Sequence, residues 1–337
     1  MSETSAQATP VERRKERRVQ VHLPVEIRGT DRSGARFDET TTSENLCRGG
    51  VAFTLSRELE LGAMLDISIP LPRGGQQAPE QYLIGPRGSL SPDGLTSADV
   101  SRIIDQAVAV ALRTRAQIRL PINQPTRMVM SISDQDGRIL AAYRMADATF
   151  FSLDVAMSKA RNAYYFSTRE GYDVLKQYVE SNRHERYTWE PAPPPGQGWA
   201  VTARTLSFGG QPLFPPGIDL RATPTAGPWF DLFVYDSMNP CTEGPGPSRG
   251  ANRAYLNQSG IVWFPGSVPL YKNGRLVGGF GVSGDGVEQD DYVSQGGSEA
   301  FHPPDALRVD NSVIRNSAGE AVRLPYLKFP RHPEFDQ

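Results

Sequence analysis

Residues 131–167 read SISDQDGRILAAYRMADATFFSLDVAMSKARNAYYFS and carry two strand patterns followed by a helix pattern. The apolar runs on either side of Asp134-Gln135-Asp136-Gly137 predict a β-hairpin, because a short Asp/Gly turn between such runs is typical of that connection. From about Ser152 to Phe166 the spacing of the apolar residues predicts a helix. A hairpin that leads directly into a helix favours the α+β class.

A second decisive block, FPGSVPLYKNGRLVGGFGVSGDGVEQDD, occupies residues 264–291. Asn273-Gly274 between two apolar runs is the strongest hairpin signal in the chain. Residues 279–284 also satisfy the pattern GxGxxG, but a dinucleotide fingerprint opens a parallel βαβ unit, whereas this strand is one arm of a hairpin. We therefore expect these glycines to mark tight backbone approach and not a phosphate site.

The two blocks together resemble the GlcG/HbpS family, also called DUF336. The first carries the family's DxxGxxL hairpin, then RMxxA, then a helix with AxxKA, and the second carries its PL, GxxVGxxGVSG and QD elements, with Ser267 at a family glycine. The resemblance covers about residues 93–302. The matching positions are Arg144, Met145, Asp147, Ala148, Lys159, Ala160, Pro269, Leu270, Gly278, Gly281, Ser283, Gly284 and Asp290.

This resemblance implies an antiparallel sheet flanked by helices, assembly into a homo-oligomer, and a small-molecule ligand. Members of the family have been associated with haem and iron binding, with redox sensing, and with glycolate or propanediol utilisation. We take Arg144, Lys159 and Ser283 as candidates for the ligand pocket, where a cation could hold a carboxylate. The alternative is structural, with Arg144 and Lys159 in salt bridges to nearby aspartates.

Haem is implied by the family alone, since no axial ligand stands out in the sequence. Met145, Tyr143 and Tyr164 have no spacing that distinguishes them as ligands. The four histidines are equally typical of surface or capping positions. They are His22, His184, His302 and His332.

The beginning of the chain resembles the PilZ domain, a β-barrel receptor for the bacterial messenger cyclic di-GMP. Arg14 and Arg18 match its RxxxR element, and residues 45–50 match [DN]xSxxG except that Cys47 replaces the serine. Guanidinium groups can grip phosphates and stack on guanine. The resemblance implies a nucleotide site formed by Arg14, Arg18, Asn45, Cys47 and Gly50.

The PilZ resemblance covers only about residues 12–72, too few to close a barrel. We therefore expect a small antiparallel β unit that forms an incomplete barrel. The alternative to nucleotide binding is a remnant of the domain, or a β unit that serves dimerisation.

An acidic loop near the end of the second block could attract a hard cation through Asp285, Glu288 and Asp290, because carboxylate oxygens suit such ions. The loop lacks EF-hand spacing. Acidic residues in the first turn of a helix are also favoured by the helix dipole alone, so both explanations remain open.

The composition describes a globular chain of 337 residues with 36 basic and 38 acidic residues and a net charge of −2. Such a balance argues against a nucleic-acid partner. No apolar run is long enough to span a membrane, no secretory signal is visible, and only two cysteines are present, so we expect a cytoplasmic protein without a membrane partner.

We expect five successive regions along the chain. Residues 1–11 are disordered, 12–72 form the PilZ-like unit, 73–92 are a linker, 93–302 form the GlcG/HbpS-like domain with a Pro/Gly-rich insertion at about 190–258, and 303–337 are an extended tail.

The predicted function is a non-catalytic protein that binds haem or another small ligand and is modulated by cyclic di-GMP. Two alternatives belong to other classes. One is an enzyme acting on a small oxygenated carboxylate such as a glycolate-like metabolite, and the other is a structural oligomer without a ligand.

Overall fold

The computed structural model describes residues 24–47, 50–60, 63–68, 80–120, 123–215, 225–238 and 260–335. The chain divides into two units, residues 1–76 and 77–337. The predicted disordered segment 1–11, together with Arg14, Arg18 and His22, lies outside the described residues.

The first unit contains a four-stranded antiparallel sheet in the order β3-β2-β1-β4. Val25, Ile27 and Phe37 form its small core, as the alternation of apolar and polar residues along β1 requires. Within the described residues the strands do not close into a barrel, which confirms the incomplete barrel. The strands are β1 (Pro24–Thr30), β2 (Arg36–Cys47), β3 (Gly50–Phe53) and β4 (Asp66–Ser68).

The second unit is built on a five-stranded antiparallel sheet in the order β5-β7-β6-β10-β9. Both predicted hairpins are present, β6–β7 around Gly137 and β9–β10 around Asn273-Gly274. The edge strand β5 lies inside the segment 73–92, which the sequence had suggested as a linker, and it pairs with β7. The strands are β5 (Gln81–Ile84), β6 (Val129–Asp134), β7 (Ile139–Arg144), β9 (Ser267–Lys272) and β10 (Arg275–Ser283).

Helices cover both faces of this sheet, and β10 shows why its glycines are needed. A Cβ at Gly279 or Gly281 would come under 3.0 Å from backbone oxygens of the helix that runs through residues 152–167. The intervening Phe280 points to the other face, where it meets Gly297. The helices concerned are α1 (Ser97–Arg113), α2 (Ser152–Ser167), α3 (Arg169–Glu180) and α6 (Val287–Gly297).

A second hydrophobic core lies beside the sheet domain, and the described parts of the insertion supply much of it. Trp189, Trp199 and Trp229 are buried there together with Tyr172 of α3. Residues after 302, for which the sequence suggested an extended tail, also bury side chains in this core, because their short strands pair with β8 in the order β12-β11-β8. The elements are β8 (Thr188–Glu190), α4 (Ala203–Gly209), α5 (Phe230–Met238), β11 (Val313–Arg315) and β12 (Ala321–Arg323).

No helix among the described residues has the length and apolar character needed to cross a membrane.

Candidate functional site

Lys159 of α2 is buried in an ion pair. Its Nζ lies 2.9 Å from Oδ2 of Asp290 on α6 and donates a hydrogen bond of 2.7 Å to the carbonyl of Val282. Gly266, which has φ of +116°, closes over the pair, and a Cβ there would come within 2.8 Å of Nζ. The ammonium therefore has two buried acceptors, and the pair ties α2 to α6.

Burial determines the electrostatics of this pair. It raises the pKa of Asp290 to about 6, and the Lys159 ammonium opposes the shift. Burial, which disfavours the charged form, and the ammonium, which favours it, thus act on this carboxylate in opposite directions.

Arg144 ends β7 and is 5% exposed. One Nη donates to the carbonyl of Ala148, and the guanidinium lies 4.7 Å from the ring centroid of Phe150. Among the described residues its Nε has no hydrogen-bond partner. The arginine therefore supports the loop before α2 and keeps one buried donor free.

Arg119 binds the same loop at Asp147. Its guanidinium contacts the carboxylate of Asp147 at 2.9 Å and also donates to the Asp147 carbonyl. Asp147 has φ of +61°, a conformation that Asn and Asp adopt more readily than most residues. The two arginines thus fix the chain between β7 and α2.

Ser283 lies on the same face of the sheet as Arg144. In the register of the strands, Ser283 pairs with Val129 and Val129 pairs with Arg144, and directly paired residues point to one face. The Ser283 hydroxyl is 3.2 Å from that of Ser152 in the first turn of α2. The structure therefore brings Arg144 and Ser283 to one end of the sheet beside the N-terminus of α2, and places Lys159 in a separate buried pair.

The three cation candidates do not converge on one point. Asp285 accepts from the backbone N–H of Gln117 at 2.6 Å, Glu288 pairs with Lys328 at 2.5 Å, and Asp290 pairs with Lys159. In the part of the chain that the structure describes, no three His, Cys, Asp or Glu side chains form a group that could hold a metal ion.

Asp291 is a buried charge that the sequence reasoning did not single out. It is fully buried, and Oδ2 contacts Nε of Arg204 on α4 and accepts from the backbone N–H of Lys328 at 3.1 Å. Burial raises its pKa to about 6, and Arg204 opposes the shift. In the sequence, the position that matches the family is its neighbour Asp290. The partner of Asp291 is Arg204, which lies in the insertion, so only the folded structure shows the pair.

The residues considered as haem ligands are scattered. Met145 is fully buried and its Sδ accepts from the backbone of Met128, while the hydroxyl of Tyr143 donates to Glu80. His184 lies 3.4 Å from Asp231, and Nε2 of His302 is 3.0 Å from the carbonyl of Gln295. Tyr164 is half-buried on α2, and His332 is exposed near the end of the described chain.

The predicted nucleotide motif falls at the connection between β2 and β3, where Cys47 pairs with Gly50 and Asn45 pairs with Ala52. A separate open groove of about 660 Å³ lies at the other end of the β1–β2 hairpin, lined by residues that include Arg28, Arg36 and Met64.

An antiparallel sheet with helices on both faces, joined to a small β unit, defines an α+β protein with two units. The HbpS-like family model, described as haem degrading protein HbpS-like, matches residues 232–299, and the PilZ domain model matches residues 12–81. These matches confirm the resemblance to both families over the matched residues.

Two solved structures are similar to the chain. Protein ORFY of Klebsiella pneumoniae, of the DUF336 family, is 19% identical, covers 63% of this chain and 94% of its own, and has a TM-score of 0.34. The complex of PduOC with heme is 21% identical, covers 62% of this chain and 95% of its own, and has a TM-score of 0.31. No curated protein matches the chain.

Proposed function

We propose that the HbpS-like domain binds a small molecule with a carboxylate group at the end of the sheet where Arg144 and Ser283 lie. The observation that carries the proposal is the Nε of Arg144, a buried charged donor without a partner among the described residues. A buried donor without a hydrogen bond costs free energy. A carboxylate would satisfy this donor through a charge-assisted hydrogen bond.

The surroundings of Arg144 suit an anion. The hydroxyl of Ser283 is on the same face of the sheet and contacts that of Ser152, the first residue of α2, which begins without a side-chain cap. The N-terminus of a helix favours negative charge because its dipole is positive at that end.

In this proposal the domain binds the carboxylate ligand and does not convert it to a product. The hydroxyl of Ser283 contacts another hydroxyl, and within the described residues no histidine or carboxylate contacts it as a base would. A serine nucleophile normally needs such a base to be activated. The enzyme alternative would instead require turnover of a glycolate-like compound by the purified chain.

Calorimetric titration with glycolate and lactate, beside the matching uncharged diols, tests this site. We expect binding of the acids only, weakened at least tenfold by Arg144→Gln and less by Arg144→Lys. Arg275→Ala removes an exposed arginine paired with Asp93 and serves as the control. Unchanged affinity in Arg144→Gln, or no binding of either acid to the natural chain, would refute the proposal.

Haem is the second candidate, and the description of the matching family model supports it. The described residues do not fit haem at the Arg144 site. Tyr143 is the neighbour of Arg144 in β7, so its side chain points to the opposite face of the sheet. Met145 is engaged in the core.

A haem titration of the full chain, followed at the Soret band, separates the two candidates. A saturable band at one equivalent of haem that disappears in His302→Ala would favour haem as the ligand and overturn the carboxylate proposal. Absence of a specific band would leave the carboxylate proposal in place.

We further propose that the PilZ domain binds cyclic di-GMP through Arg14, Arg18, Asn45, Cys47 and Gly50, and that binding modulates the HbpS-like domain. Modulation requires different nucleotide affinities for two states of the protein. The double variant Arg14→Ala/Arg18→Ala should lose nucleotide binding in calorimetry. If neither nucleotide nor carboxylate raises the melting temperature, the structural oligomer becomes the better explanation, since a ligand specific for the native state must raise it.

A further inference from the structure

The N-terminus of α6 packs against residues 115–118, and Asp285 joins the two segments. Its Oδ1 accepts hydrogen bonds from the backbone N–H groups of Gln117 at 2.6 Å, Gly286 at 2.8 Å and Ile118 at 3.3 Å. These bonds fix the carboxylate in one orientation and turn Oδ2 toward the interior.

Two buried oxygens at this junction have no hydrogen-bond partner among the described residues, Oδ2 of Asp285 and Oε1 of Gln289. Gln289 is 6% exposed. Its Nε2 donates to the carbonyl of Arg115 at 3.4 Å. With the amide in this orientation, its oxygen faces Gly286.

Gly286 keeps the space in front of the Gln289 oxygen open. A Cβ on it would lie 2.5 Å from Oε1 of Gln289 and under 3.0 Å from Oε1 of Gln117, so two amide oxygens face the same point. The backbone does not need glycine there, because φ is −62° and ψ is 148°, which any residue adopts. What the glycine provides is room.

We propose that this cradle binds one hard cation of the size of calcium through Asp285, Gln117 and Gln289. Carboxylate and amide oxygens are the ligands that such ions prefer, and water completes their shell. A single carboxylate places the affinity at the weak end of calcium sites, roughly 10⁻⁴–10⁻³ M. The site is independent of the carboxylate pocket, and its donor set differs from the acidic group that the sequence suggested, since Glu288 and Asp290 are paired elsewhere.

Calorimetry of the full chain with calcium chloride, compared with magnesium and sodium chloride, tests the site together with the melting temperature. We expect one equivalent of calcium to bind and to raise the melting temperature. Gly286→Ala should weaken calcium binding at least tenfold, because the methyl group displaces both amide oxygens while the backbone conformation is kept.

Gly85→Ala is the matched control, since a Cβ at Gly85 meets nothing within 4 Å, and it should bind calcium as the natural chain does. Asp285→Asn removes the charge and should abolish binding, but it also alters the bonds to residues 117 and 118, so Gly286→Ala is the decisive variant. The proposal fails if calcium does not bind to the natural chain, which would mean that water fills the cradle. It also fails if Gly286→Ala binds calcium equally well.

Discussion

Two groups of buried residues in the sheet domain, all at positions that match the GlcG/HbpS pattern, differ in how their polar atoms are used. In the packed group, Gly281 and the Lys159–Asp290 pair are enclosed by helices and engaged by protein atoms. In the other group, at the end of the sheet, Arg144 and Ser283 are also nearly buried, but a donor of Arg144 remains without a partner among the described residues. Residues of similar burial thus have all their described charges paired in one group, whereas a hydrogen-bond donor is left without a partner in the other.

The largest expected effect comes from breaking the buried Lys159–Asp290 ion pair. Lys159→Met leaves Asp290 buried without its cation, and we expect the free energy of unfolding to fall by about 3–5 kcal/mol, measured by denaturant titration. Lys272→Met is the control, because the Lys272–Asp99 pair is partly exposed and should cost at most about 1 kcal/mol.

The double variant Lys159→Met/Asp290→Leu sharpens this test. It removes both charges, so it should be more stable than Lys159→Met alone. A single variant as stable as the natural chain would show that the packed group does not depend on the pair.

Gly281→Ala should be the next most damaging change. The added Cβ would meet the Ala156 carbonyl and the Ala160 nitrogen of α2, both backbone atoms that cannot move aside. We expect a loss of about 3 kcal/mol, the upper range for overpacking, measured by thermal or chemical unfolding. Gly85→Ala, which adds a methyl group in open space, should stay within about 0.5 kcal/mol. Equal stability of the two variants would disprove the close helix–strand contact.

The pH dependence of stability tests the buried aspartates. The folded-state pKa of Asp291 is about 6, above its ordinary value of 3.8, so its contribution to stability is fully present below about pH 4 and is lost as the pH rises through about 6. From pH 4 to pH 7 the unfolding free energy of the natural chain should therefore fall relative to that of Asp291→Asn. A constant difference over this range would show that burial does not raise this pKa.

The smallest effect is expected at the end of the sheet. Ser283→Ala removes one hydroxyl contact with Ser152 and should cost about 1 kcal/mol or less of stability. If this substitution unfolds the domain in circular dichroism, Ser283 belongs to the packed group, and the contrast between the two groups disappears.

Much of the sheet domain can be predicted from the sequence. The Asn273-Gly274 hairpin, the hairpin around Gly137 and the helix from Ser152 are all present, because each depends on residues close together in the chain. The helix was expected to end at Phe166 and ends at Ser167. By contrast, β5 gave no clear signal within a segment rich in Pro and Gly, and its pairing with β7 stabilises it as an edge strand.

The candidate site could be predicted only as a set of residues. Arg144, Lys159 and Ser283 were all chosen from the sequence, but the sequence gives no reason to separate Lys159 from the other two. Its partner Asp290 is 131 positions away. The cradle at Gly286 likewise needs Gln117, which is far from it in the chain.

The sequence by itself determined the α+β class, the two hairpins, the helix from Ser152 and the resemblance to two families, since hydrophobic period, turn residues and family motifs are local properties. Only the tertiary structure decided which charges are enclosed, that the insertion and the residues after 302 share a second core, and which polar atoms are left without partners. Burial and pairing depend on contacts between distant segments, and the sequence pattern of each segment alone does not encode them.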